Sequence, residues 1–167
     1  MSTFTTRTSS PLGDLILACS DRGLCGVWFE GQRHFPSDAL VQSWQQASDH
    51  PTLLETATQL QAYFAGRRTV FDLPLDLSRG TPFQQAVWHA LLAIPAGVHQ
   101  SYGQLALGLS NPQAVRAVGA AVGRNPVSII VPCHRVLGST GQLTGYAGGL
   151  ERKRALLLLE GHHDLFQ

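Results

Sequence analysis

The sequence predicts a two-domain protein: a small α/β domain built on an antiparallel sheet, then a mainly helical domain. Three observations carry that expectation. Between Phe4 and Phe29 apolar stretches alternate with turn residues. From Thr81 onward helix starts follow one another closely. Between them, over Val70 to Gly80, periodicity fades around Pro74, Asp76 and Ser78-Arg79-Gly80. The expected domains are therefore 1–79 and 80–167, with a linker at about 70–80, and 167 residues suffice to bury a core without staples.

Pro11-Leu12-Gly13-Asp14 precedes Leu15 to Cys19, and Ser20-Asp21-Arg22-Gly23 precedes Leu24 to Phe29, which reads as two or three antiparallel strands. Gly31 to Pro51 is irregular, with room for a short helix around Ala39 to Gln46. Thr52 with Glu55 forms a capping box for a helix whose Leu53, Ala57, Leu60 and Phe64 share a face and which Gly66 ends. Beyond the linker, Thr81-Pro82 sets N-cap and N1, Phe83, Val87, Leu91 and Ile94 form a stripe, and Pro95 stops the helix. Ser101 with Gln104 opens another helix through Leu109. After Ser110-Asn111-Pro112 a third runs from about Pro112 to Gly123, burying Val115, Val118 and Val122. Two short helices so tightly joined fit a helix-turn-helix or an ordinary αα-hairpin. Gln113, Arg116, Ala120 and Arg124 then face outward, and Ala117, Gly119, Ala121 and Gly123 keep the second helix thin enough for a groove or for close packing. The last helix spans Leu150 to about Glu160.

Charge is distributed unevenly. Up to Arg79 six Lys/Arg stand against eight Asp/Glu, whereas beyond it six stand against three, so the basic character sits in the second half and points weakly to a polyanion. Lys153 is the one lysine against eleven arginines. Charged residues make up 14% of the chain, well under the usual roughly 25%. No apolar run reaches a membrane span, so no membrane partner is expected, and Met1 opens onto Ser-Thr-Phe-Thr-Thr without a signal pattern, which makes the cytosol the expected location. Three cysteines, an odd number, form no disulfide framework.

One of them stands out. In Ser128-Ile129-Ile130-Val131-Pro132-Cys133-His134-Arg135-Val136 a β-branched segment, read as a buried strand, ends at Pro132 and presents Cys133 on a turn. A free thiol with pKa of about 8.5 is only a few per cent ionised at neutral pH, so a nucleophilic role needs a base. His134 is adjacent but points to the other side of an extended backbone, so contact needs turn geometry or a bridging water. The alternative is that Cys133 is a small core residue. The Gly-rich run Leu137 to Gly149 lacks the features of a phosphate loop and suits the wall of a flat-ligand pocket. Glu160 lies at a helix C-terminus, where a carboxylate is disfavoured unless exposed or paired, and His134 is a candidate partner.

These residues resemble the O6-alkylguanine-DNA alkyltransferases, the methylated-DNA-protein-cysteine methyltransferases. The resemblance covers Thr81 to about His162 through Thr81-Pro82-Phe83-Gln84, Ser101-Tyr102-Gly103-Gln104, Asn111-Pro112, Arg116-Ala117-Val118-Gly119, Asn125-Pro126, Pro132-Cys133-His134-Arg135-Val136 and Gly145-Tyr146-Ala147-Gly148-Gly149. It is looser at Ser10-Pro11-Leu12-Gly13 and Tyr63-Phe64-Ala65-Gly66. It implies a ribonuclease-H-like N-terminal domain and a winged helix-turn-helix domain that binds the minor groove of double-stranded DNA as a monomer. The lesion nucleotide is flipped out and its alkyl group moves irreversibly to Cys133. It further implies that His134 takes the thiol proton through a water, Glu160 orients His134, and Asn125 braces the turn. Arg116 fills the gap left by the base, with Ala117, Gly119 and Arg135 also on the DNA side. Tyr102 helps rotate the nucleotide, Tyr146 walls the pocket, and main-chain groups of Cys133, Val136 and Ala147 read the guanine edge. No cofactor is implied.

Some relatives bind a structural zinc, and Cys19, Cys25, His34 and His89 could tempt a ligand assignment, but His89 falls inside the Thr81 helix and buried free thiols are the expected state, with no metal. A lesion sensor without the acceptor cysteine, a Cys-His hydrolase and a redox sensor are the rival classes. Cys133 argues against the first, no oxyanion hole can be placed for the second, and the third lacks a neighbouring resolving cysteine.

Overall fold

The computed structural model describes residues 2–166, which divide between Leu77 and Ser78 into two compact units. In the first, strands β1 (Phe4–Thr8), β2 (Leu15–Ser20) and β3 (Gly23–Phe29) form an antiparallel meander. A short strand β4 (Gln45–Gln46) pairs parallel to β1, so the sheet has the order β3-β2-β1-β4 and is mixed rather than purely antiparallel. The register of β2 against β3 shifts at Cys19, leaving Cys25 as the extra residue of a bulge. Every residue of β3 is buried, a pattern that sequence alternation alone does not produce. Its far edge is covered by the segment expected to be a linker: Leu24 donates to the Pro74 carbonyl and Asp76 donates to the Leu24 carbonyl, both at 2.8 Å.

Two helices complete this unit. The first, α1 (Asp38–Gln42), is capped by Ser37 and stops short of the expected 39–46, because residues 45–46 are taken up by pairing with β1. Trp44, stacked on Trp28 at 5.6 Å, anchors that return. Helix α2 (Pro51–Phe64) starts two residues earlier than the Thr52 capping box would set it, with His50 as the N-cap. Pro51 occupies N1, where its missing N–H costs nothing, and the His50 ring accepts from the Thr52 N–H. Leu53, Leu60 and Tyr63 are buried.

In the second unit α3 (Pro82–Leu91) carries the expected Thr81/Gln84 capping box but ends before Ile94, and Phe83 is exposed while Trp88 takes the inward position, its indole donating to the Ala121 carbonyl at 2.8 Å. The Ser101/Gln104 box caps α4 (Tyr102–Gly108), and α5 (Val115–Gly123) follows. Gln100 and Ser101 form β5, paired parallel with β6 (Val136–Leu137), and α6 (Leu150–Leu159) closes the unit with Glu160 as C-cap. On α5 the buried residues are Val118, Ala121 and Val122, whereas Val115 is 39% exposed, so the inward stripe is rotated from the all-valine one. Gln113, Arg116, Ala120 and Arg124 face outward.

Gly23 makes a sharp test of this packing: at φ +152° an added Cβ would lie 2.6 Å from the Pro74 carbonyl oxygen. Gly23→Ala is expected to destabilise the protein by at least about 2 kcal/mol, through strain plus overpacking. Gly31→Ala, at φ +79° with open space around it, should cost about 1 kcal/mol. Chemical denaturation of the two variants checks the difference.

Candidate active site

Residues 125–132 leave α5 as a buried chain of turns. The expected strand at Ser128–Val131 does not form; Ile129 sits at φ +73°, a conformation that a β-branched residue adopts only under constraint. The constraint is Asn125, 4% exposed, whose Nδ2 donates to the Val131 carbonyl at 2.7 Å while its Oδ1 accepts from the Val127 N–H at 3.0 Å. One side chain thus supplies the partners a ladder would have given. Pro132 then leads into a single 3₁₀ turn, Cys133–Arg135, that hands over to β6.

This turn places Cys133, His134 and Arg135 in the interior, 6%, 0% and 5% exposed. The His134 Nε2 lies 2.8 Å from Glu160 Oε2. Arg135 reaches the same carboxylate as a fork, Nε to Oε1 at 2.8 Å and Nη2 to Oε2 at 2.9 Å, and its Nη1 donates to the Ile94 carbonyl at 2.6 Å. Burial alone would raise the Glu160 carboxyl, but hydrogen bonds and charge from His134 and Arg135 outweigh it and hold the group far below the usual carboxylate range. Burial keeps His134 below its ordinary value despite Glu160. The resting pair is therefore a carboxylate and a neutral imidazole. Since a carboxylate only accepts, Nε2 carries the ring hydrogen and Nδ1 holds the lone pair. That Nδ1 is buried and has no protein partner.

Burial also pushes the Cys133 thiol upward, opposed by the Asn125 side chain and the charge of Lys153. The sulfur is a thiol at rest, one residue from a neutral base. Tyr102 donates to the Thr144 carbonyl at 3.2 Å and lines an open hollow of about 310 Å³ with Val115, Gly119, Thr144 and Gly145. Cys133 does not line this hollow. Burial raises Tyr102 and raises Tyr146 further, and the Cys133 charge adds to both, with Ser128 opposing it at Tyr146; the Tyr146 hydroxyl is buried without a hydrogen bond of ordinary geometry. Ala147 is half-buried and Val136 buried.

The structure thus gathers Cys133, His134, Glu160 and Asn125, sets Tyr102 and Gly119 at the hollow, and leaves Arg116 and Ala117 exposed on α5. Arg135, expected on the DNA side, is turned inward onto Glu160. One residue escaped the sequence reading. Lys153 is fully buried, its ammonium donating to the carbonyls of Val136 (2.6 Å), Thr144 (2.9 Å) and Gly145 (3.2 Å), and burial lowers it to about 8. The signal was the spacing: Lys153, Leu156, Leu157 and Glu160 fall at i, i+3, i+4 and i+7 on one face of α6.

The sequence matches the family described as "6-O-methylguanine DNA methyltransferase, ribonuclease-like domain" over residues 4–77 and its "DNA binding domain" over residues 82–162. This chain belongs to the 6-O-methylguanine DNA methyltransferase family. The methylated-DNA–protein-cysteine methyltransferase of Mycobacterium leprae is 49% identical over 156 residues, 93% of this chain and 91% of that one. Its namesake in Methanosarcina acetivorans is 46% identical, covering 91% and 94%. Among solved structures, the O6-methylguanine methyltransferase of Mycobacterium tuberculosis superposes with TM-score 0.84 at 45% identity over 99% of both chains. The OGT protein of the same organism in complex with DNA does so with 0.83 at 45% identity over the whole of both. The enzyme class follows from membership: methyl transfer from methylated DNA to a protein cysteine.

No cluster of three or more His, Cys, Asp or Glu able to hold a metal occurs among the described residues. Cys19 instead faces the His50 ring at 3.5 Å, and burial raises its thiol to about 11.

The site makes acid stability testable. The unfolded chain protonates His134 below about 6.5 and Glu160 below about 4.5 while the folded chain resists both, so their contribution is complete above pH 6.5 and is lost as pH falls. Glu160→Gln should cost about 3 kcal/mol at pH 7 by leaving Arg135 buried and unpaired. The gap from wild type should shrink by about 2 kcal/mol between pH 5 and 3, as measured by denaturant titration.

Proposed function

We propose that this chain repairs O6-alkylguanine in double-stranded DNA by moving the alkyl group to its own Cys133. The observation that carries the reading is the buried Cys133-His134-Glu160 arrangement, in which a neutral histidine, adjacent to the thiol in sequence, keeps its Nδ1 unpartnered. The thiol proton passes through a bridging water to Nδ1. The sulfur then bonds to the alkyl carbon as the carbon–O6 bond breaks. The departing electron pair stays on the purine, which takes up one proton, leaving a thioether and unmodified guanine. Nothing in the site offers a nucleophile to cleave a thioether, so each molecule acts once.

Neutral thiol and neutral imidazole at rest suit a nucleophile made on demand: the softness of sulfur is kept while the standing thiolate, and with it adventitious oxidation, is low. A reduced thiol is also a reason to place the protein in the cytoplasm, on the nucleoid when DNA-bound. Tyr102, on the hollow beside α5, would turn the nucleotide and Tyr146 would stack beside it; the main chain of Cys133, Val136 and Ala147 would read its edge. Because Cys133 is not among the residues lining the hollow, the wall of the hollow would have to rearrange for a base to reach it. The exposed, thin α5, with Ala117 and Gly119 and with Arg116 projecting from it, fits a monomer docked in the minor groove, where Arg116 fills the space of the extruded base.

Mixing the protein with a duplex bearing one O6-methylguanine should add one methyl to Cys133 by intact mass and peptide mapping, with stoichiometric consumption. Cys133→Ser should abolish transfer while duplex affinity stays within about threefold, the groove contacts lying elsewhere. Binding with unchanged mass in the wild type would rule the reading out. Arg116→Ala should lower the preference for damaged over intact duplex more than it lowers overall binding, and equal losses for both would exclude the intrahelical role.

A further inference from the structure

The buried guanidinium of Arg135 is unaccounted for by a role at the DNA surface. It spends three nitrogens inside the protein, two on Glu160 and one on the Ile94 carbonyl, and is 5% exposed. Glu160 Oε2 is shared, accepting from His134 at 2.8 Å and from Arg135 at 2.9 Å, while Oε1 accepts from Arg135 Nε at 2.8 Å. The carboxylate that orients the base is therefore also clamped, in plane, by a permanent cation from the next residue of the same turn. A planar fork on both oxygens fixes the carboxylate's rotation, which a single imidazole contact cannot do.

We propose that Arg135 is a positioning residue for alkyl transfer: by clamping Glu160 and cancelling its charge, it keeps the resting site as thiol and neutral imidazole rather than thiolate and imidazolium. The inference rests on the relay proposed above. Its physical basis is charge balance in a closed volume. With Arg135 present, the Glu160–Arg135 pair is close to neutral, so the imidazole feels a dipole instead of a bare anion. Without it, the full carboxylate charge would stabilise a protonated His134 and draw the thiol proton across before any substrate arrives. The other groups facing this pair are Lys153 from α6, Tyr146 from the loop before α6, and His162 beyond the C-cap with the His99 ring 5.5 Å from it. Arg135 itself bonds both carboxylate oxygens.

The test compares wild type with Arg135→Met and Arg135→Lys in the full chain, using two readouts. One is the single-turnover transfer rate on an O6-methylguanine duplex against pH. The other is the rate of Cys133 alkylation by iodoacetamide against pH, which reads the relay without DNA. For Arg135→Met the acid limb of both profiles should move up by about one pH unit, iodoacetamide labelling near pH 7 should rise severalfold, and affinity for undamaged duplex and its salt dependence should stay unchanged. Should the methionine variant not fold, Arg135→Lys decides: it keeps the charge and loses the fork, so its acid limb should stay in place while transfer slows about tenfold from lost orientation. Unmoved profiles with weaker, less salt-dependent duplex binding would make Arg135 a DNA contact, and unmoved profiles with unmoved rates would make it a purely structural ion pair; either overturns the proposal. Failure of the relay itself looks different: wild-type Cys133 would then show no histidine-linked limb with iodoacetamide at all.

Discussion

A single carboxylate, closed off from solvent at the end of the last helix, sets the chemistry of this protein. Glu160 has 1% of its side chain exposed, a position that ordinarily forces a carboxyl to neutralise. It stays ionised because His134 and Arg135 supply hydrogen bonds and opposing charge. That outcome decides which nitrogen of His134 is protonated, and so which one is free to take a proton. Breaking such a buried pair costs several kcal/mol, so folding and chemistry draw on the same contact.

The scaffold around it works by delivering main chain where regular structure would not. Asn125 stitches 125–131 into a buried turn that no sheet could provide, and the 3₁₀ turn that follows aims three consecutive side chains inward. Helix α6 then contributes from one face at two depths. Lys153 ties the Val136 carbonyl to those of Thr144 and Gly145, the latter two on the wall of the hollow, and Glu160 meets the turn two helical turns later. Cavity wall and proton relay are thus fixed by the same ten-residue helix.

Much of this was legible in the sequence, and the exceptions share a cause. Capping boxes at Thr81 and Ser101 and the C-terminal position of Glu160 depend on neighbours three or four residues apart, which a sequence displays directly. Contacts between distant segments are not displayed. Residues 45–46 became a strand because β1 needed a partner, His50 became a cap because Pro51 followed it, and Val115 turned outward while Ala121 went in. The Ser128–Val131 segment had strand composition, yet the Asn125 amide offered its backbone a local partner first. Arg135 was expected on the DNA side and Lys153 was given no role, because composition treats every cation alike. Their burial follows from acceptors contributed from as far as Ile94 and Thr144.

The central claim is that His134 rests neutral, hydrogen on Nε2 and lone pair on Nδ1, against an ionised Glu160. Nitrogen-15 NMR of the histidine side chains at pH 7 tests it most directly. The account predicts that His134 shows one protonated, pyrrole-like Nε2 and one unprotonated, pyridine-like Nδ1, and that in Glu160→Gln the ring stays neutral while the two shifts move towards each other as the tautomer preference weakens. An imidazolium signature at pH 7 in the wild type, or a hydrogen on Nδ1, would contradict it.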